Sequence, residues 1–208
     1  WVSPKHLYGP LGSRLFDAIT ELPEYYPTRT ERKVLEACRE SIARAAGPEP
    51  TLIDLGAGNC EKARSLFQSL DPRQYVAVDM SVEFLRHSMT PLQRDFPHLE
   101  MIGIGIDFST GLRLPDAVRR ENRLFFYPGS SIGNFTPEQA LAFLVELGVE
   151  FGFAEIEMSR HAGRRLVGAA QPRHDGAHAR LAGGAAAHHL LHGAGVIAGV
   201  VAERSDNG

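Results

Sequence analysis

Gly56 and Gly58, then Asp79 a little over twenty residues later, then Asp107-Phe108, are the residues whose types and spacing could do chemistry together. Two glycines one residue apart let a backbone turn sharply and approach a ligand with no Cβ in the way. Asn59 can cap a helix opening with Cys60-Glu61-Lys62, so that free N–H groups face whatever lies in the turn. A dinucleotide fingerprint would want a third glycine at position 61, where this chain has Glu61. A carboxylate at Asp79 suits the two hydroxyls of a ribose and repels a 2′-phosphate. Asp107 could hydrogen-bond an adenine amino group while the Phe108 ring packs on the base. Such a set points to a nucleoside without phosphates, of which S-adenosylmethionine is the commonest. A lone Gly-x-Gly also fits an ordinary strand-to-helix turn, so the elements around it matter.

Those elements read as a parallel α/β sheet. Buried-strand runs cover Thr51 to Leu55, Gln74 to Val78, Met101 to Ile106 and Leu124 to Tyr127, and the first three end in the residues above. A helix is expected from a Ser81 cap, carrying Phe84, Leu85, Met89 and Leu92. Another opens at Thr136-Pro-Glu-Gln139 with a capping box, placing Leu141, Leu144 and Val145 inward. Residues 1–50 read as helical and separate from the sheet. Leu15, Phe16, Ile19 and Leu22 recur at helical spacing, Pro23 to Pro27 break the pattern, and Thr30 caps a helix ending near Gly47-Pro48.

The first ~145 residues resemble the histidine-specific, S-adenosylmethionine-dependent methyltransferases of ergothioneine biosynthesis. The likeness rests on Tyr8 with Gly12-Ser-Arg-Leu-Phe16, Leu22-Pro-Glu-Tyr-Tyr-Pro-Thr-Arg-Thr-Glu31, Leu52 to Gly58 through Lys62, Asp79, Asp107-Phe108, and Phe126 to Phe135. The Pro-Glu-Tyr-Tyr run is the most diagnostic of these. The resemblance implies a Rossmann-like class I methyltransferase core with an N-terminal helical segment and an incomplete C-terminal half. It implies S-adenosylmethionine held by Gly56, Lys62, Asp79, Asp107, Phe108 and Gly129, and L-histidine contacted by Tyr25 and Asn134. By themselves Tyr25 reads as a half-buried core tyrosine, Asn134 as a turn residue and Lys62 as a solvated helix charge. The implied reaction is methylation of the α-amine by in-line displacement at a sulfonium, with positioning groups, no catalytic residue singled out and no bound metal.

Composition narrows the partners. The 208 residues suffice for one substantial core, and a net charge of −3 with interspersed signs leaves no nucleic-acid footprint. No apolar run approaches a membrane span, and the N-terminus lacks a secretory layout. Cys38 and Cys60, both placed in helices, read as buried free thiols. A cytoplasmic monomer is the expectation. Trp1 in place of Met reads as a trimmed or processed product.

The expected division is a helical segment at 1–50 contributing to the substrate site, a cofactor-binding core at 51–147, and a divergent, poorly ordered Ala/Gly/His-rich tail at 148–208. No Phe, Tyr or Trp follows Phe153. A weak helix near 177–192 and a short strand within Gly195 to Ala202 are its expected elements, and strand four should be an exposed edge. The later region of the resembling family supplies a Tyr and a Glu-x-Ser element with no counterpart here; Glu155-Ile-Glu-Met158 is too short to be one. A truncated or frameshifted copy that binds cofactor without turnover is therefore the first alternative. Three Lys against nineteen Arg fit the GC-rich source that idea needs. The second is a metal-binding module at His188, His189 and His192, which lacks accompanying Cys or carboxylates.

Overall fold

Five consecutive buried residues, Thr51–Leu55, form β1, the strand from which the sheet is built outward. The structure, a computed structural model, describes residues 9–108, 111–129, 132, 135, 136, 139, 140, 142–144 and 147, and the strand backbones 155–159, 165–168 and 198–202. β1 pairs in parallel with β2 (Gln74–Asp79) and β4 (Arg123–Tyr127), and β2 with β3 (Glu100–Gly105). A run buried on both faces must alternate its side chains between two cores. Leu52, Tyr75, Ala77, Leu124 and Phe126 join one; Ile53, Leu55, Val76, Val78 and Phe125 join the other.

Helices cover the first face. The α1 helix spans Pro10–Thr20, α2 spans Tyr26–Ala46, the short α3 and α4 span Glu61–Arg64 and Phe67–Leu70, and α5 spans Val82–Asp95. Leu35 and Ile42 of α2 belong to the first core, so this helix is packed on the sheet rather than separate from it. It starts at Tyr26, four residues before the expected Thr30 cap, because Pro27 falls in its first turn, where the missing N–H costs nothing. Gly47, with φ of 74°, ends it. The α1 helix behaves differently: Leu15 and Phe16 on its apolar side are 56% and 44% exposed.

On the second face, Leu112, Val118, Phe143 and Leu147 close the core. The expected capping box forms: the Thr136 N–H donates to Gln139 Oε1 (2.9 Å) and the Gln139 N–H to Thr136 Oγ1 (3.3 Å). Among the described residues of the helix that follows, Ala140, Phe143 and Leu147 are buried and Leu144 packs partly buried against the second core, while Leu141 and Val145 lie outside the described residues.

The sheet continues beyond residue 150. β5 (Glu155–Ser159), β6 (Arg165–Gly168) and β7 (Ala198–Ala202) complete the order β3-β2-β1-β4-β7-β5-β6. Strand four is thus not the exposed edge expected from sequence. β7 lies antiparallel beside it from Leu124↔Ala202 to Tyr127↔Gly199, which satisfies its ladder groups. β7 falls in the stretch where a short strand was expected, and Glu155 to Met158 lie in β5, while positions 177–192 and the three histidines lie outside the described residues.

The core makes a stability prediction. Phe126→Ala removes a ring with 0% exposure and should cost about 3–5 kcal/mol, whereas Leu11→Ala, at a site 71% exposed, should change stability by less than about 0.5 kcal/mol. Urea denaturation of the two variants measures the difference.

Candidate functional site

The carboxyl ends of β3, β2, β1 and β4 stand side by side, and the polar residues of interest follow them in that order. At β1, Gly56 and Gly58 adopt φ of 73° and 54°, the left-handed region that disfavours a side chain. The N–H groups of Gly56 and Ala57 both donate to the Val78 carbonyl, at 2.9 and 3.1 Å, folding the turn back over β2. Asp79 completes it. Its Oδ2 accepts the Gly58 N–H at 3.0 Å and its Oδ1 the Ser81 N–H at 2.9 Å, so one side chain fixes the glycine turn and the entry to α5. Each oxygen keeps a second lone pair. Ser81 sits at the N-cap of α5, as expected, but its buried hydroxyl makes no capping bond; its own N–H instead donates to the Asp79 carboxylate.

The expected Asn59 cap is also altered. Cys60 is the N-cap of α3, in a left-handed conformation with φ of 62°, and it stands before the helix rather than in it. Asn59 Oδ1 accepts the Glu61 N–H at 3.2 Å, while its Nδ2 donates to Asp17 of α1 at 2.8 Å. Thus α1 is tied to the glycine turn by a polar contact.

Lys62, in the first turn of α3, extends its Nζ to 2.7 Å from Glu31 Oε2. The Glu31 side chain is only 6% exposed, and its Oε1 is buried with no hydrogen-bond partner among the described residues. Gly129, just past β4 with φ of 87°, abuts the pair: a Cβ there would meet Lys62 Nζ at 3.0 Å and Glu31 Oε1 at 3.8 Å. The Glu31 contact explains part of the Pro-Glu-Tyr-Tyr-Pro-Thr-Arg-Thr-Glu run. Arg29 explains more, since its guanidinium donates to the carbonyls of Leu22 (3.0 Å), Tyr25 (3.4 Å) and Pro23, clasping the turn before α2. Tyr25 is the N-cap of α2, half-buried, with its ring edge-on to Phe16 at 6.1 Å. At 1.5 Å per residue it stands about 9 Å from Glu31 along the helix. Asn134 lies outside the described residues.

Asp107 and Phe108 follow β3, both partly buried. The Phe108 ring reaches back across the strand ends, edge-on to Tyr127 at 5.7 Å and tilted against Phe143 at 5.8 Å. The ring also packs against the glycine turn, where a Cβ on Gly56 would lie in ordinary contact, 3.8 Å from Phe108 Cζ. Beneath the turn, Asp54 is buried and accepts a 2.9 Å hydrogen bond from the Tyr75 hydroxyl, while its Oδ1 has no partner among the described residues. Burial pushes Asp54 up to about 7 against the opposing Tyr75 hydrogen bond, and pushes the Cys60 thiol up to about 12 with help from the Asp54 charge. Cys60 is therefore a packed thiol rather than a nucleophile.

A profile of the family described as histidine-specific methyltransferase, SAM-dependent, matches residues 1–156. The chain belongs to that family. It is 39% identical over 148 residues to the histidine N-alpha-methyltransferase of Mycobacterium tuberculosis, covering 69% of this chain and 45% of that protein. It is 33% identical over 150 residues to ergothioneine biosynthesis protein 1 of Schizosaccharomyces pombe, covering 66% of this chain and 19% of that protein. The chain thus spans less than half the length of these curated relatives. Among solved structures, a magnesium protoporphyrin IX methyltransferase from Synechocystis PCC 6803 with bound SAH aligns at a TM-score of 0.51 and 11% identity, covering 96% of this chain and 97% of that chain. This likeness shows the methyltransferase fold.

Within this chain, the sequence pattern alone does not single out Glu31, Arg29 or Asp54. Glu31 and Arg29 could have been found as charges fixed inside the diagnostic run, and Asp54 as an acid inside an otherwise apolar strand. Among the described residues no His, Cys, Asp and Glu cluster could hold a metal ion.

Asp54 makes a pH prediction. The folded carboxyl holds its proton to about pH 7, whereas its ordinary value is 3.8, so between these values the folded state binds more protons than the unfolded. Stability from this group is present below its unfolded value and falls as pH rises toward 7. Asp54→Asn cannot ionise and should escape the loss. Its melting temperature should exceed that of the parent at pH 8, by an amount that shrinks toward pH 5. A constant difference across that window would refute the assignment.

Proposed function

We propose that this chain holds S-adenosylmethionine across the carboxyl ends of β3, β2, β1 and β4 and that the protein methylates the α-amino group of L-histidine. The observation that carries the reading is the convergence of Gly56, Asp79, Phe108, Lys62 and Gly129 at those ends, in a chain of this family. The residues fit a nucleoside bearing an amino-acid arm. Asp79 has lone pairs for ribose hydroxyls beyond its two backbone donors, and Asp107 beside Phe108 offers a polar and an aromatic group for the base. Gly129 leaves open the volume that any side chain would close over Lys62 and Glu31.

When bound, this cofactor supplies an electrophilic methyl group on a sulfonium. The protein's part is then positioning, exclusion of water and tolerance of a neutral amine at the attacking position. Tyr25 and Asn134 are assigned to the substrate, with Tyr25 held in place by the Arg29 clasp and the Phe16 ring. The division follows: residues 1–50 contribute to the substrate site and 51–147 form the cofactor-binding core. The imidazole-gripping Tyr and Glu-x-Ser of the resembling family have no recognised counterpart, so turnover by these 208 residues should be slow.

Two measurements test the reading. Asp79→Ala should weaken S-adenosylhomocysteine in calorimetric titration by about 1–3 kcal/mol, through lost ribose contacts and a loosened glycine turn. Equal affinities would remove Asp79 from the site. Incubation with L-histidine and S-adenosylmethionine should give products heavier by one to three methyl groups on the α-nitrogen, slowly, and more slowly still with Asp79→Ala at the same cofactor concentration. Methylation of the ring alone would contradict the substrate assignment, and no turnover with cofactor bound normally would instead support the copy that binds cofactor without turnover.

A further inference from the structure

The Glu31–Lys62 pair has an asymmetry that a structural ion pair would not need. Glu31 is almost wholly buried on α2, yet only its Oε2 is engaged, by Lys62 at 2.7 Å; Oε1 has no partner among the described residues. A buried carboxylate oxygen without a donor costs folding free energy, and natural structures rarely leave one without a partner from protein, water or a bound group. The lysine is by contrast 39% exposed, with donors to spare. Both groups lie against Gly129, where an added Cβ would come within 3.0 Å of Lys62 Nζ and 3.8 Å of Glu31 Oε1. Glycine at 129 thus lets the backbone pass close to an ammonium and a carboxylate oxygen held side by side.

That is the complement of a zwitterion. An α-amino acid presents a carboxylate and an ammonium two bonds apart, which a Lys–Glu pair can receive together. Its position fits a ligand laid along the strand ends. Asp107 and Phe108 follow β3, Asp79 ends β2, and Gly129 follows β4, three strand spacings away, or roughly 14 Å at ~4.8 Å each. With the nucleoside at the β3 and β2 end, its amino-acid arm reaches β4. Asp54 also leaves an oxygen unpartnered, but it lies under the turn among Tyr75 and Cys60, in the interior of the layer.

We propose that Glu31 is a cofactor-binding residue, its Oε1 accepting the ammonium of the cofactor's amino-acid arm while Lys62 binds the carboxylate. This rests on the reading that S-adenosylmethionine lies across the strand ends, and the test separates the two. Binding to the intact chain is measured by calorimetry for S-adenosylhomocysteine and for its des-amino analogue, which keeps the carboxylate but lacks the ammonium. The wild type should bind the des-amino analogue on the order of tenfold to a hundredfold more weakly, the effect of one charge-assisted hydrogen bond. In Glu31→Gln that gap should shrink below about threefold, because the variant loses affinity only for the ligand that carries the ammonium.

If the wild type binds both compounds equally, the proposal is overturned while the cofactor reading stands. If both proteins discriminate alike, the ammonium is read elsewhere and the proposal again fails. If the wild type binds neither, the cofactor reading falls and takes the proposal with it. Should Glu31→Gln not fold, the wild-type comparison alone still decides whether the ammonium is recognised, and the same pair of ligands on Glu31→Asp, whose shorter arm withdraws the oxygen, decides whether Glu31 does it.

Discussion

One carboxylate holds the functional end of this sheet together. Asp79 accepts the Gly58 N–H from the loop after β1 and the Ser81 N–H at the start of α5. Without it, two backbone donors at a strand end would need other partners, and the left-handed glycine turn would lose its anchor to the second strand. The turn in turn places Cys60 and the first residues of α3, and through them Lys62. Asn59 extends the linkage outward to Asp17 of α1. The strand ends are a connected network in which the groups proposed for the cofactor also bear structure.

Electrostatics adds a second constraint. Glu31 and Asp54 are buried acids on the same side of the sheet, each with one oxygen lacking a partner among the described residues, and both act on the same neighbourhood as Lys62 and Asp79. Burying acids is expensive unless a cation or a proton compensates. The two solve the problem differently. Lys62 neutralises Glu31 across 2.7 Å, whereas Asp54, further inside, keeps its proton up to about pH 7. Lys62 is thus a cation placed beside a cluster of acids, and its pairing with Glu31 fixes a side chain that would wander on a free surface.

Much of this arrangement was legible in the sequence because strands buried on both faces leave an unmistakable signature. Thr51 to Leu55 and Gln74 to Val78 formed strands as read, and the Thr136 capping box closed as its residue types require. The misreadings have particular causes. Pro27 looked like a breaker, yet a proline in a first helical turn loses no hydrogen bond, so α2 began at Tyr26. Cys60 looked helical, but the turn needs a left-handed residue there and no local pattern announces that. Strand four looked unpartnered because its neighbour, β7, comes from Ala198–Ala202, some seventy residues later in the chain and poor in large side chains. Glu31 read only as one letter of a diagnostic run, since its partner Lys62 is distant in sequence and long-range pairs leave no periodicity.

The account's central claim is that the strand ends of β3, β2, β1 and β4 form one ligand site. Backbone amide chemical shifts of the isotopically labelled chain, followed through a titration with S-adenosylhomocysteine, test it most directly. The account predicts saturable changes at Gly56, Gly58, Lys62, Phe108 and Gly129, with little change at Gln74 and Arg119 at the opposite end of the sheet. Changes confined to the groove between α5 and β3, lined by Arg86, Met89 and Gly103, would contradict it.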